Sequence, residues 1–341
     1  MNMGLEGVHV ADTRLSDVDG ERGTLLIAGQ HLEQFSLNSY EQAAEELLGR
    51  SLDLGRGRVV AYQRLRPWLR EFVSAPQATD ALRRGLSLLD RAVSIDTLVS
   101  AVPVILAGRQ QGEALAPPDP TLGHVEDFLR MFRGSAVSSA EAAALSAYLT
   151  TVSEHGMNAS TFTARVIAST GASSLEAVLG ALGALAGPLH GGAPGPVLDL
   201  LDELDGSPDL RGVLQRKVRN GERLMGFGHR VYRTRDPRAD VLRSALSLLS
   251  ESPRLVLAQQ VEREALEVLR QEKPERRLET NVEYYTALLL DSLGFSREEF
   301  TPIFAAGRIL GWLAHVEEQK STGRLIRPLS RYVGPAPSNS L

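Results

Sequence analysis

Three of the seven histidines stand beside glycine, as His155-Gly156, His190-Gly191 and Gly228-His229. Imidazole is the side chain that gives or takes a proton near neutral pH, and glycine lets backbone approach a ligand closely. The histidine spacings match no zinc motif, so no metal is expected. The chain has no cysteine, which excludes disulfides, thiolate metal sites and cysteine nucleophiles. Each of the three is either a structural histidine, the commoner case for any one of them, or a group for proton transfer or hydrogen bonding to a bound substrate. His9, His31, His124 and His315 lack such context and read as structural.

Two concentrations of positive charge accompany them. Arg308 lies in IFAAGRILGWLAHV (Ile303 to Val316), a run otherwise almost wholly apolar and without an acid. Burying a guanidinium there is costly unless something anionic meets it. Arg308 is either a structural cation, paired with a distant acid or reaching back to the surface, or a clamp for a substrate carboxylate, which its geometry matches with two hydrogen bonds. The second concentration runs from Arg216 to Arg238. It holds Arg216, Lys217, Arg219, Arg223, Arg230, Arg233, Arg235 and Arg238 against Glu222 and Asp236, and encloses Gly226-Phe227-Gly228-His229. It reads as an anion site or as a solvated helix face followed by a glycine turn. No Gly-x-x-x-x-Gly-Lys-Ser/Thr loop is present, and no strand-turn-helix unit supports a dinucleotide fold.

These residues need rigid supports, and helices supply most of them. Ser173 with Glu176 has the capping-box spacing; Leu175, Val178, Leu179, Leu182 and Leu185 then share a face. Gly180 and Gly183 leave room for a neighbouring helix. Gly187-Pro188 ends that helix, glycine as a left-handed cap and proline as a stop. His190 therefore sits in a loop just past a helix end, beside Gly191-Gly192. Thr301-Pro302 predicts the start of the helix bearing Arg308. Helical spacing also covers Glu41 to Leu48, Asp80 to Leu89, His124 to Phe132 and Ser139 to Val152. Asp19-Gly20 followed by Leu25, Leu26 and Ile27 predicts a small hairpin within residues 12 to 28.

The 341 residues suit one large core or two unequal domains. Hydrophobic residues are 43% and aromatics only 5%, a leucine- and alanine-rich balance that favours helix over strand. A net charge of -5 argues against nucleic-acid and anionic-membrane partners. Arg308 and Gly187-Pro188 interrupt the most apolar stretches, so no membrane span is expected. Residues Met1 to Gly7 show no signal pattern, and a cytoplasmic protein is expected.

Several segments fall on one family pattern. GPLHGGAPGPV (Gly187 to Val197), MGFGHRVYRTRDPRA (Met225 to Ala239) and NVEYY (Asn281 to Tyr285) resemble the three active-site segments of citrate synthases, in the same order. EHGMNASTFTARV (Glu154 to Val166), FTPIFAAGRILGWLAH (Phe300 to His315), RLIRPLSRYVG (Arg324 to Gly334) and the opening hairpin resemble further family segments. The resemblance implies a mostly all-α, two-domain citrate synthase fold with a small N-terminal β-hairpin. Residues 1–191 with 288–341 would form a large helical domain, and 192–287 a small one closing over the active site. The implied reaction condenses acetyl-CoA with oxaloacetate to citrate and CoA, the step that brings acetyl groups into the tricarboxylic acid cycle. Acyl-CoA would be a co-substrate, and no bound cofactor is implied. His190 would stabilise the enolate oxygen, His229 would hydrogen-bond and protonate the oxaloacetate carbonyl, and Glu283 would be the base. His155, Arg238 and Arg308 would hold oxaloacetate, and Arg327 would reach the partner's site in a homodimer. Arg233, with Met225, Gly226, Phe227 and Gly228, would contact CoA. Fixed positive charge should keep the imidazoles neutral, so that they act as hydrogen-bond donors.

One departure bears on the chemistry. Most of the family has aspartate where this chain has Glu283, one methylene longer and of similar intrinsic acidity. Glu279-Thr280 replaces the usual Tyr-Pro, and Gly307 stands where serine commonly precedes the arginine. Three readings follow: a citrate synthase with a glutamate base, a relative that prefers propionyl-CoA and makes 2-methylcitrate, or a catalytically weak paralogue that binds CoA or dicarboxylates.

Overall fold

Apolar residues at helical spacing bury one stripe or all sides of successive helices, and the chain is built almost entirely from them. The computed structural model describes residues 5, 7–190, 195–229, 231–250 and 252–335. Gly191-Gly192 and Arg230 lie outside the described residues. The hairpin forms where the Asp19-Gly20 turn places it: β1 (Ser16–Asp19) pairs antiparallel with β2 (Thr24–Ile27), with Ser16 opposite Ile27. A third short strand, β3 (Gln30–His31), pairs with β2 through Leu26 and His31.

Sixteen helices follow among the described residues. The first six are α1 (Leu32–Phe35), α2 (Tyr40–Leu48), α3 (Leu54–Leu65), α4 (Leu69–Val73), α5 (Ala78–Ser87) and α6 (Ile95–Gln111). Next come α7 (His124–Arg133), α8 (Ser139–Thr151), α9 (Ala159–Ala168), α10 (Ser174–Leu185) and α11 (Gly195–Leu204). The last are α12 (Leu210–Arg219), α13 (Pro237–Leu246), α14 (Pro253–Glu272), α15 (Val282–Ser292) and α16 (Phe300–Thr322). No helix among the described residues is long and apolar enough to cross a membrane.

Both α6 and α16 are buried almost all round and form the spine of the core, as expected of helices without a polar face. The expected start of α16 moves. A capping box between Ser296 and Glu299 opens a 3-10 turn over Arg297–Glu299, and α16 runs on directly from Phe300. Thr301 therefore lies inside the first turn, and the helix continues past Glu317 and Glu318 to Thr322. Glycine lets α16 press against the chain that leads to His155. A Cβ on Gly311 would lie 2.2 Å from the carbonyl oxygen of Ser153.

The capping box of Ser173 and Glu176 forms as expected at the start of α10. Gly180 admits Ile167 of α9, where a Cβ would come within 2.1 Å of its Cδ1, whereas Gly183 faces open space. The end of α10 differs from expectation. The cap is Ala186 in the right-handed conformation, Gly187 is not at positive φ, and the stop falls to Pro188. The turn closes with the His190 amide donating to the Gly187 carbonyl at 2.9 Å. The 287/288 position expected to divide two domains falls within α15, which packs on α13 and α11.

Candidate active site

Five separate stretches of chain, at His155, His190, His229 to Arg238, Glu283 and Arg308, carry groups close enough to shift one another's charge. His155 follows α8 in the turn Glu154–Gly156, whose shape is set by the buried Glu154. Its Oε1 accepts from the Gly156 amide (2.7 Å), from Ser16 Oγ (2.8 Å) and from His315 Nε2 (3.1 Å). Arg165 donates to the other His315 nitrogen at 3.0 Å, so His315 and the N-terminal strand brace the turn. His124 is likewise structural, stacked on Tyr40 at 4.9 Å and meeting the buried Arg58.

His229 lies beside His155, with ring centroids 5.9 Å apart. Its Nδ1 accepts from the amides of Val231 and Tyr232, both at 3.0 Å. Two amide donors at Nδ1 place the hydrogen of the neutral ring on Nε2, so the 3.2 Å approach of Arg238 Nη2 to that nitrogen brings two donors together and is not a hydrogen bond in this tautomer. Arg238 is held in turn by Asp236, Nε to Oδ1 at 3.0 Å and Nη2 to Oδ2 at 2.9 Å. Asp236 also accepts from the Val282 amide in the first turn of α15, tying the arginine to the helix that carries Glu283. Tyr232 is buried and places its hydroxyl 3.1 Å from His155 Nε2.

His190 meets Ser160 Oγ through Nε2 at 2.9 Å. That hydroxyl accepts from Trp312 Nε1 (3.1 Å) and donates to Asn158 Oδ1 (2.8 Å). With its one hydrogen used there, it accepts from His190 Nε2–H.

Arg308 resolves differently from either structural alternative. It is 2% exposed, and among the described residues no carboxylate comes within ion-pair distance of it. Its Nε donates to the Val152 carbonyl, and the guanidinium lies 4.7 Å over the Phe304 ring. Burial lowers its pKa to about 10, offset in part by the nearby charge of Glu154 and reinforced by that of Arg238. Arg308 is thus a buried cation that no carboxylate pairs among the described residues, and its charge helps hold His155 and His190 neutral.

The titration behaviour follows from this packing. Burial holds His190 and His229 down at about 4, helped by Arg308 for the first and by Arg238 for the second, where Asp236 opposes it. His155 is held well below the usual imidazole range by burial, then by Arg238 and Arg308. The imidazoles are neutral as expected, but loss of water outweighs the fixed positive charge as the cause. Burial pushes Glu283 up to about 7, against the pull of Arg238 and with the help of Asp236.

The basic stretch separates into two parts. Arg216, Lys217 and Arg219 lie on α12 and pair with Asp209, with Glu203 and Glu222, and with Glu272, the solvated helix face weighed above. Arg235 pairs with Asp240 and Glu262. Arg233 is exposed and lines a cavity of about 500 Å³ together with Arg235, Arg270, Arg276 and Arg277. The glycines at 226 and 228 serve packing within the chain. Both have positive φ, and a Cβ would come within 2.6 Å of Tyr284 Cδ2 and 2.9 Å of Leu278 Cδ2. Met225 and Phe227 pack against the core. Arg327 is exposed on the extended tail after α16, and the tail is tied back by the Ile326 amide donating to Ser169 Oγ.

Sequence reasoning missed Ser160, Trp312, Glu154 and Tyr232, and registered Asp236 only as a counter-charge. Only Asp236 had a local signal, the Asp-Pro pair at a helix start.

The chain and its fold are similar to those of known proteins. A family model described as citrate synthase, C-terminal domain, matches residues 4–329. The putative citrate synthase 2 of Mycobacterium tuberculosis is 53% identical over 194 residues, 57% of this chain and 52% of that protein. The match thus spans about half that relative's length. The citrate synthase of Haloferax volcanii is 35% identical over 366 residues, covering 98% of this chain and 96% of that one. The crystal structure of citrate synthase from Thermotoga maritima matches with a TM-score of 0.86 at 32% identity, over 100% of this chain and 98% of that chain. Citrate synthase from Thermoplasma acidophilum, solved as a ternary complex with carboxymethyl coenzyme A and oxaloacetate, matches with a TM-score of 0.87 at 26% identity and the same coverage. The architecture is the all-α fold of those two solved enzymes. The chain belongs to the citrate synthase family.

Proposed function

We propose that the protein condenses an acyl-CoA, acetyl-CoA first, with oxaloacetate and hydrolyses the resulting thioester to citrate and CoA. The observation that carries this reading is the grouping of two neutral histidines and a carboxyl raised to about 7 around two buried arginines whose charges act on them. His155, Arg238 and Arg308 hold the oxaloacetate carboxylates. Glu283 takes a proton from the carbon beside the thioester carbonyl, and the electron pair moves onto that carbonyl oxygen, where a ring N–H of His190 donates. The enol carbon attacks the oxaloacetate carbonyl carbon, whose oxygen takes the hydrogen of His229 Nε2. Water then cleaves the thioester and releases the thiol of CoA.

Arg233 and the segment Met225 to Gly228 meet CoA, and the cavity that Arg233 lines with Arg276 and Arg277 offers charge for its phosphates, while Arg235 and Arg270 there are paired with carboxylates. Residues 192–287 act as a small domain closing on 1–191 with 288–341, which excludes water until the carbon–carbon bond forms. The protein works as a homodimer in which Arg327 completes the partner's site. The exposed Leu325, Leu329, Tyr332 and Val333 of the extended tail support a second chain as their cover.

The test measures thiol release with acetyl-CoA and with propionyl-CoA, each with and without oxaloacetate. Oxaloacetate-dependent release is expected, and its relative rate ranks the two donors, propionyl-CoA leading if the product is 2-methylcitrate. No release with either donor would overturn the catalytic reading and leave a binding paralogue.

A further inference from the structure

Two reacting groups on different elements need a fixed separation, and here one side chain spans the backbones that carry them. Asn281 precedes α15 and is 7% exposed. Its Oδ1 accepts from the amide of Glu283 at 3.0 Å, and its Nδ2 donates to the carbonyl of Gly228 at 2.8 Å, the residue before His229. These partners also fix which way the side-chain amide faces, since only its oxygen accepts from an N–H and only its nitrogen donates to a carbonyl.

The two segments are already paired through their backbones. The Gly228 amide donates to the Glu279 carbonyl at 2.7 Å, the Asn281 amide donates to the Gly226 carbonyl at 2.9 Å, and Phe227 stands opposite Thr280. That pairing aligns 226–228 with 279–281. Asp236 holds the Val282 amide at the entry into α15, which leaves the Glu283 amide and the carbonyl of the peptide that leads into His229. The side chain of Asn281 closes both with its two ends. Helix capping accounts for only one of them: serine, threonine and aspartate cap as well as asparagine or nearly so, but none carries a second group that donates to a carbonyl while the first accepts.

We infer that Asn281 is a positioning residue that sets the separation between the Glu283 carboxylate and the His229 imidazole. The inference rests on the condensation proposed above. Asn281 acts through the backbone on either side, and a displacement of about 1 Å in such a pair costs on the order of 100-fold in rate.

Asn281→Ser keeps a neutral cap and removes the donor to Gly228; Asn281→Ala removes both. Each is compared with the wild-type protein for oxaloacetate-dependent thiol release, using the better of the two acyl-CoA donors with hydrogen or deuterium on the carbon beside the thioester. Thermal unfolding is followed in parallel. The serine variant should keep its unfolding midpoint within a few degrees, lose about 10- to 100-fold in kcat, and show a larger deuterium isotope effect, because a misplaced base slows proton removal most. The alanine variant should match that kcat loss and also unfold at lower temperature. Wild-type turnover in Asn281→Ser overturns the inference. So does a kcat loss with an unchanged isotope effect, the mark of fewer folded molecules, or a midpoint lowered as far as in Asn281→Ala. If the wild-type protein releases no thiol, the condensation reading fails and the inference falls with it, an outcome distinct from loss in the variants alone.

Discussion

Glu283→Gln should remove catalysis and add stability, and the two effects have separate pH signatures. Glutamine preserves the shape of the side chain and cannot accept the proton. General-base catalysis contributes about 100- to 10,000-fold, so kcat should fall by that order while oxaloacetate binding stays near wild type. The stability effect follows from burial, which raises the folded-state pKa from 4.5 to about 7. A carboxyl raised on folding binds its proton more tightly in the folded state, so stability falls as pH rises from 4.5 through about 7. Above that window the folded protein carries the full cost of the ionised group, at most about 3 kcal/mol at ~1.4 kcal/mol per unit, and less because water still reaches the side chain. The variant should therefore gain about 1–3 kcal/mol over wild type at pH 8 and almost nothing near pH 4.5. Denaturant unfolding at the two pH values measures this. In the wild-type enzyme the acid limb of kcat/KM should have its midpoint near 7, because His190 and His229, at about 4, stay neutral throughout that range. Wild-type turnover in the variant would remove Glu283 as the base. A stability gain equally large at both pH values would refute the raised pKa.

Arg308→Ala should raise the oxaloacetate concentration needed for half-maximal rate on the order of 100-fold, the loss expected for a desolvated charge contact; an unchanged requirement in steady-state kinetics would return Arg308 to a structural role. Gly226→Ala should cost about 2–4 kcal/mol in denaturant unfolding, since positive φ and a Cβ 2.6 Å from Tyr284 act together. Gly183→Ala is the contrasting case, helical and facing open space, and should be neutral or stabilising by up to about 1 kcal/mol.

The sequence by itself determined that the chain is mostly helical, the place of several helices, the hairpin at Asp19-Gly20 and the loop placement of His190, because each depends on residues within a turn or two along the chain. The capping box at Ser173 and the periodic leucines of α10 are read locally and form locally. It also displayed His155, His190, His229, Arg238, Arg308 and Glu283 as segments resembling one family. Tertiary structure decided what these side chains meet. Ser160 gains its place from Trp312, 152 residues away in sequence, and Asn281 reaches Gly228 across 53; no local pattern encodes either pairing. At Arg308 only the tertiary structure showed the Val152 carbonyl and the Phe304 ring against the guanidinium, with no ion-paired acid among the described residues. The basic stretch divided because α12 found its own carboxylate partners while Arg233 faced a cavity. Burial, which no single segment controls, raised the Glu283 carboxyl and made the imidazoles neutral. Caps and periodicity are settled between near neighbours in the chain, whereas desolvation and charge pairing depend on every element that closes over a group.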